Sequence, residues 1–426
     1  YATLAKAAEA APDGATIYVM SDVEMNQMAW VWEKELTITS YGVDPVTLSR
    51  GENFHTNADP ARQHYNPAMI EVGGETEQGT VSSLILTHII LDDMGKYEGE
   101  YFVQADSEGD GETTVSRSEV PNTSIVQDAI IATYNGMGTI TLGDGAELRN
   151  YGGMSAVRLS GGELIMEEGS AILDTTENER EKGASGSFGP AGAVWLQGGI
   201  LTMNGGTIGG DKGVMMNGRA LYADGGTANI GGTIQNIHGT DAAWQGQNGV
   251  AVHLRSHGEA TLASTGEITN VTGTNAGNNC AIWTQFCNFT TKAGSKISHV
   301  DGFQLLYFDD LDNNNYSHEV YLNGTISECA SGSASLLRSW YGQITFGPNS
   351  VIENCSSSSA GGLIYSNNGS HYTFAGTIRD NTASKGMIYL ANQGGGGVIA
   401  TIEETAHIVD NKGLAVRVNN SSNLTM

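Results

Sequence analysis

Basic residues are scarce in this chain. Twenty Lys and Arg stand against 47 Asp and Glu in 426 residues, giving a formal charge of −27 and a pI near 4.5. A field of that sign repels phosphate backbones, anionic headgroups and uronate polymers. It excludes nucleic acid as a partner and disfavours pectin- or alginate-type substrates, leaving neutral ligands, sugars above all. Proline is nearly missing at 7 residues, so collagen and Pro-rich linkers are out. The 4 cysteines are scattered and say little about redox compartment, and Cys280 and Cys287 lack metal-site spacing. No apolar run approaches the ~18 residues of a membrane helix, and no membrane insertion is expected.

Glycine, by contrast, is plentiful: 58 residues, roughly twice the usual share. Residues 2–11 are strong helix formers with apolar positions three to four apart, and Pro12-Asp13-Gly14 ends them. Every later apolar run is short and bounded by Gly, Asn, Asp or Ser, as in Thr16–Met20, Leu36–Ser40, Met69–Val72, Leu84–Leu91 and Thr139–Leu142. That is strand grammar. From about residue 127 the strands repeat. A Gly-Thr-Ile-like element recurs with its anchor at Leu148, Ile172, Ile208, Ile234, Ile268, Ile297, Ile326, Ile352, Ile378 and Ile408, at spacings of 24 to 36. Such a period with three short strands per repeat predicts an all-β, right-handed parallel β-helix with an N-terminal capping helix. A propeller blade needs four strands in ~40–45 residues, more than these repeats hold. The whole of 1–426 is expected to be one solenoid domain, with 127–426 its clearest coils. A start at Tyr1 and an end at Met426 inside a strand-like run suggest a fragment of a larger secreted protein.

Two positions after the anchors stand Asn150, Asp174, Asn236, Asn270, Asn354, Asp380 and Asp410. Asn and Asp tolerate the left-handed conformation of a tight corner, so these are expected to be structural. Cys329 and Cys355 each lie three past an anchor on neighbouring coils, open to a disulfide or to a stacked pair of buried thiols.

A second alignment concerns the strands that open each repeat. Val157, Val194, Leu221, Val252, Ile282, Leu306, Leu337, Ile364, Ile388 and Val416 should face inward. Period-two alternation then places Arg158, Trp195, Tyr222, His253, Trp283, Tyr307, Arg338, Tyr365, Tyr389 and Arg417 outward. Two residues on, also outward, come Ser160, Gln197, Asp224, Arg255, Gln285, Asp309, Trp340, Asn367, Ala391 and Asn419. Tyr and Trp favour strands anyway, but their concentration on one face suits stacking against sugar rings, with Gln, Asp and Arg bonding hydroxyls. Substrate contacts are therefore expected from Trp195, Tyr222, Asp224, His253, Arg255, Trp283, Gln285, Tyr307, Arg338, Trp340 and Tyr365. Asp224 and Arg255, on adjacent coils, also fit a plain salt bridge. Trp244 and Gln247, in a long connection beside that face, join the set. Within Asp310–Tyr316, the spacing of Asp310, Asp312 and Asn314 suits calcium, yet the Gly and terminal Glu of an EF-hand loop are missing and an Asx-rich turn is the plainer reading. No other cofactor is required. Asp92–Val120, with Asp106, Glu108 and Asp110, reads as a solvated loop. No nucleophilic triad or phosphate-binding glycine loop is present in the sequence.

The opening Asp13-Gly14-Ala15-Thr16-Ile17-Tyr18-Val19 after a capping helix resembles the pectin-lyase-like superfamily of parallel β-helices. The acidic charge and the outward Trp/Tyr/Gln/Asp column look most like glycoside hydrolase family 136 within it. That resemblance implies a retaining lacto-N-biosidase that uses two aspartates to release Galβ1-3GlcNAc. Asp309 is the expected carboxylate, with Asp301 as partner if a corner folds it back, and Asp310 or Asp312 otherwise. The expectation is an extracellular, secreted or cell-surface, monomeric glycosidase acting on neutral oligosaccharides. A non-catalytic glycan-binding adhesin is the alternative, and a polysaccharide lyase the third reading.

Overall fold

The computed structural model describes residues 1–55, 68–73, 82–94, 100–103, 113–116, 129–152, 155–175, 192–239, 248–274, 279–310, 317–332, 334–358, 361–391, 397–419 and 422–426. At 52, 53, 55, 100–103, 113–116, 134–137 and 248 the backbone alone is described. Two compact units, Tyr1–Met216 and Asn217–Met426, are each built as stacked β-helical coils.

In the first unit, helix α1 (Leu4–Ala10) is capped by Thr3, whose hydroxyl accepts from the Lys6 amide at 3.3 Å. It buries Leu4, Ala7 and Ala8. At its other end Lys34 Nζ donates to the carbonyls of Ala8 (2.7 Å), Glu9 (3.2 Å) and Ala11 (3.0 Å), where the helix dipole favours a cation. Parallel coils start directly after it, well before residue 127 where the repeat becomes readable. Ala15–Val19 pairs with Glu35–Ser40, which pairs with Ser82–Thr87, then Ala129–Leu142 and Ser155–Met166. The run Leu84–Leu91 is not one strand. His88, at φ 48°, breaks it into Ser82–Thr87 and Ile89–Asp92, which belong to different sheets. The segment expected as a plain loop also contains strands: Glu100–Val103 pairs antiparallel with Thr113–Ser116. Asp106, Glu108 and Asp110 lie outside the described residues. A buried ion pair, Arg50 with Asp93, ties coils together. Arg50 also donates to the Ala129 carbonyl at 3.1 Å and Asp93 accepts from the Gly152 amide at 2.7 Å, bonds that offset the cost of burying both charges.

In the second unit the coils from Leu221 to Asp301 carry three short strands each, for example Cys280–Gln285, Asn288–Thr291 and Lys296–Asp301. In the three coils that follow, the third strand is split in two, as in Thr325–Ser327 and Ala330–Ser331. The anchors stack in direct register from Ile234 through Ile268, Ile297, Ile326, Ile352 and Ile378 to Ile408. The inward column from Leu221 to Val416 stacks likewise, and its members from Leu221 to Ile388 are buried. Phe346 and Phe374 stack inside at 4.8 Å. The corner has a left-handed residue on coil after coil: Asn236, Asn270, His299, Glu328, Asn354, Asp380 and Asp410, all with φ between 52° and 55°. In the first unit Asn150 shares it, at φ 51°, whereas Asp174 does not and is fully buried. All four cysteines are buried free thiols; Cys329 Sγ donates to the Ser327 carbonyl and Cys355 Sγ to the Glu353 carbonyl, each at 3.2 Å. Burial pushes Cys280 and Cys287 up to about 12.

The last coil differs from those before it. Ile408, Val416 and Leu424 are half-buried, whereas their register partners Ile378, Ile388 and Ala400 are at most 3% exposed.

Candidate functional site

The strand that opens each coil of the second unit aims alternate side chains away from the core, so one residue type per coil stacks into a ladder. Tyr222, His253, Trp283, Tyr307, Arg338, Tyr365, Tyr389 and Arg417 follow one another in register. The contact is continuous. Ring centroids lie 4.9 Å apart from Tyr222 to His253, 4.6 Å from His253 to Trp283 and 6.4 Å from Trp283 to Tyr307. Arg338 then places its guanidinium 5.3 Å from Tyr307, 5.9 Å from Trp340 and 6.0 Å from Tyr365. Tyr365 meets Tyr389 at 5.5 Å, and Arg417 lies 4.8 Å over Tyr389. Beside this ladder runs the second column, in which Asp224 faces Arg255, Gln285 faces Asp309, Asp309 faces Trp340 and Trp340 faces Asn367.

At the middle of the two columns several buried polar atoms have no hydrogen-bond partner among the described residues. They are Trp283 Nε1, Asp309 Oδ1, Asp310 Oδ2, Arg338 Nε, Trp340 Nε1 and Asn367 Oδ1. Buried polar atoms in folded proteins are paired almost without exception, so a cluster that mixes donors and acceptors on adjacent coils marks a place for water or a polyhydroxylated ligand. Asp309 is 7% exposed. Burial, and next the charge of Asp310, push its carboxyl up to about 6, against the opposing pull of Arg338. The neighbouring Tyr307 phenol is also pushed up by its burial. Gly342 closes the turn beside this group at φ +78°. A Cβ there would lie 2.4 Å from the Phe308 ring and 3.0 Å from Asp310 Cβ, so only glycine lets the next coil approach so closely.

Asp310 is 3% exposed, and its amide donates to the Trp340 carbonyl at 3.0 Å. Its Oδ1 meets His318 Nδ1 at 3.0 Å, and His318 Nε2 lies 3.2 Å from His257 Nδ1. Neither histidine stands out in the sequence. They are 61 positions apart, on turns that only the coil winding brings together. The one local sign is the Arg255-Ser256-His257-Gly258 turn, where Ser256 and His257 both take left-handed backbone.

Other expected site residues fall elsewhere. Asp301 is exposed and ends the strand Lys296–Asp301 in the other sheet, in register with Thr272 and Ala330. The strand Gln304–Asp309 separates it from Asp309 by about 16 Å of extended chain, beyond the ~5–9.5 Å of catalytic carboxyl pairs. The corner does not fold it back. Trp195 belongs to the first unit, where it is 7% exposed beneath the guanidinium of Arg158 at 5.2 Å. Asp224 and Arg255 are in register without forming an ion pair. Asp224 accepts from Ser256 Oγ, and Arg255 donates to Tyr222 Oη at 3.4 Å. Trp244, Gln247, Asp312 and Asn314 lie outside the described residues. Of the calcium triplet only Asp310 is described, and its Oδ1 is engaged by His318. No grouping of three or more His, Cys, Asp and Glu side chains among the described residues is arranged to hold a metal. No helix among them is long and apolar enough to cross a membrane.

No family model matches the chain, nor does any curated protein. Among solved structures, the mannuronan C-5 epimerase AlgE4 A-module of Azotobacter vinelandii aligns over 99% of this chain and 94% of its own, at 9% identity and a TM-score of 0.29. The surface protein and adhesin PfbA of Streptococcus pneumoniae aligns over 99% and 94%, at 12% identity and a TM-score of 0.32. Superpositions this loose add nothing to what the strand register already shows.

Proposed function

We propose that the outer face of the second unit binds a neutral glycan and that Asp309 acts on it as the protonated carboxyl of a glycoside hydrolase. One observation carries this reading. A buried carboxyl at about 6 stands among unpartnered donors and acceptors, in the middle of a continuous aromatic ladder. A carboxyl with that value is still partly protonated near neutral pH and can donate to a glycosidic oxygen. Asp310, adjacent and bonded to His318, is the ionised partner, in place of Asp301. The indole and phenol faces of Trp283, Trp340 and Tyr365 supply the stacking surface, and Gln285 and Arg338 the hydroxyl contacts. The finer reading is release of Galβ1-3GlcNAc by a secreted or cell-surface enzyme of the lacto-N-biosidase kind. Its test is incubation with type-1 and type-2 milk oligosaccharides and product analysis by mass. Disaccharide release from the type-1 series supports it. Binding without cleavage across the panel favours the second reading, an adhesin that uses the same unpartnered polar atoms to hold a glycan intact.

A further inference from the structure

The three groups Asp310, His318 and His257 form a chain whose members become steadily more open to solvent. The Asp310 side chain is 1% exposed and that of His318 11%, while His257 is exposed on its turn. The distances are 3.0 Å from Asp310 Oδ1 to His318 Nδ1 and 3.2 Å from His318 Nε2 to His257 Nδ1, with the two rings inclined by 32° at 5.3 Å. With both rings neutral, one arrangement of protons satisfies every contact. A carboxylate only accepts, so His318 carries its proton on Nδ1 and donates to Asp310. Its Nε2 is then an acceptor, and His257 must donate from Nδ1. That leaves His257 Nε2 as the outermost acceptor.

We propose that His257 and His318 are a proton relay between solvent and the Asp310 carboxylate. A proton arriving at His257 Nε2 releases the one on His257 Nδ1 to His318 Nε2, and the His318 Nδ1 proton passes to Asp310 Oδ1. Each N–H or O–H bond that forms replaces one that breaks, and no electron changes hands. The rings end in the opposite tautomers and return when a proton moves outward. The consequence for chemistry rests on the reading of Asp309 given above: neutralising Asp310 removes a charge that helps Asp309 hold its proton, so the relay sets how readily Asp309 gives that proton up.

The charged and titratable groups around the chain come from every side. Arg255 precedes His257 on its own coil, and Asp224, on the adjacent coil, is held by Ser256. Cys287 packs beneath the His257 turn, its thiol close enough to bond the His257 backbone. Ser317 Oγ lies 3.2 Å from His318 Nδ1, and Glu319 follows His318 in the next strand. Asp309, Arg338 and Tyr307 stand on the far side of Asp310.

The test uses the full chain with ¹⁵N-labelled histidine, as wild type, His257→Asn and His318→Gln. Asn suits the left-handed backbone at 257, and Gln keeps a donor toward Asp310. In the wild type His318 is expected as the Nδ1–H tautomer, and the two imidazoles should shift together in one transition as pH is lowered. In His257→Asn the His318 tautomer should persist and the joint transition should vanish. Independent titration of the two rings, or an Nε2–H tautomer at His318, overturns the relay without reference to any substrate. On a glycan that the wild type cleaves, His318→Gln should lower kcat on the order of tenfold, leave KM within about twofold, and be rescued by imidazole in the buffer. An unchanged kcat overturns the relay while leaving Asp309, tested by its own substitution, untouched. If no glycan is cleaved, the hydrolase reading fails and the imidazole spectra alone decide.

Discussion

Two columns of the second unit run along the same coils and use their polar residues in opposite ways. At the corner, side chains partner one another within the fold. Asn270 donates to Asn236 at 2.6 Å, His299 pairs with Glu328 at 2.7 Å, and Asn381 donates to Asn411 at 3.0 Å. On the face, Trp283, Asp309, Arg338, Trp340 and Asn367 hold buried polar atoms that nothing described satisfies. The corner needs its residues for backbone geometry. No feature of the coil requires those on the face. Polar groups closed on themselves serve the stack, and polar groups left open serve something that arrives.

That contrast breaks most sharply at its centre. Asp309→Asn should lower turnover about 10³-fold or more while glycan binding survives, since only the proton donor is lost. Steady-state kinetics beside calorimetric binding check both halves, and wild-type turnover in the variant moves the acid elsewhere. Next in size, Trp283→Ala or Trp340→Ala should weaken glycan affinity about tenfold, the scale of one lost aromatic contact of 1–1.5 kcal/mol. Their urea midpoints should stay close to wild type, because both rings stand outside the core. At the corner the order reverses. Asn354→Val forces a β-branched residue to φ 53° and should cost about 1–2 kcal/mol of stability with no change in binding.

The pH dependence of Asp309 sharpens the comparison further. Its folded value of about 6 lies above the ordinary carboxyl value, so the folded chain holds that proton more tightly than the unfolded one. Its ionisation therefore destabilises the fold as pH rises through 6, and the penalty is absent below about 4. Asp309→Asn should raise stability on the order of 1 kcal/mol at pH 8, after discounting for solvent reach, with the gain fading between pH 6 and 4. Smallest of all, Asp380→Asn at the corner should stay within about 0.5 kcal/mol at any pH near neutral. Asn already fills that place at Asn236, Asn270 and Asn354.

The coil register is legible in the sequence wherever a strong period-two pattern meets an isoleucine anchor. From Leu221 to Val416 the inward and outward columns can be aligned residue by residue from the sequence alone. The first unit is harder. Its coils begin at Ala15, but those before residue 127 carry no shared Gly-Thr-Ile element to align. At the corner, Asn and Asp announce left-handed backbone, whereas His299 and Glu328 adopt it with no chemical sign, because the neighbouring coils impose it. Within the site, Asp309 is legible as an outward acid between Gln285 and Trp340. The His257–His318 contact is not, since it depends on how two turns project beyond their sheets. Asp301 shows the opposite failure: proximity in sequence to the central strand places it at that strand's far end.

The half-buried interior of the last coil has a consequence for how the molecule comes apart. In the polypeptide Tyr1–Met426, a stack held by nearest-neighbour contacts behaves as a zipper, and loosens first at the layer whose interior is half-buried. Amide protons of Val416–Val418 and Asn423–Thr425 should trade with solvent fastest, those of Ile388–Leu390 more slowly, and those around Asp309 more slowly still. Mild heating would then fray the ladder from Arg417 inward, erasing its outermost rungs while the central pair of aspartates keeps its place.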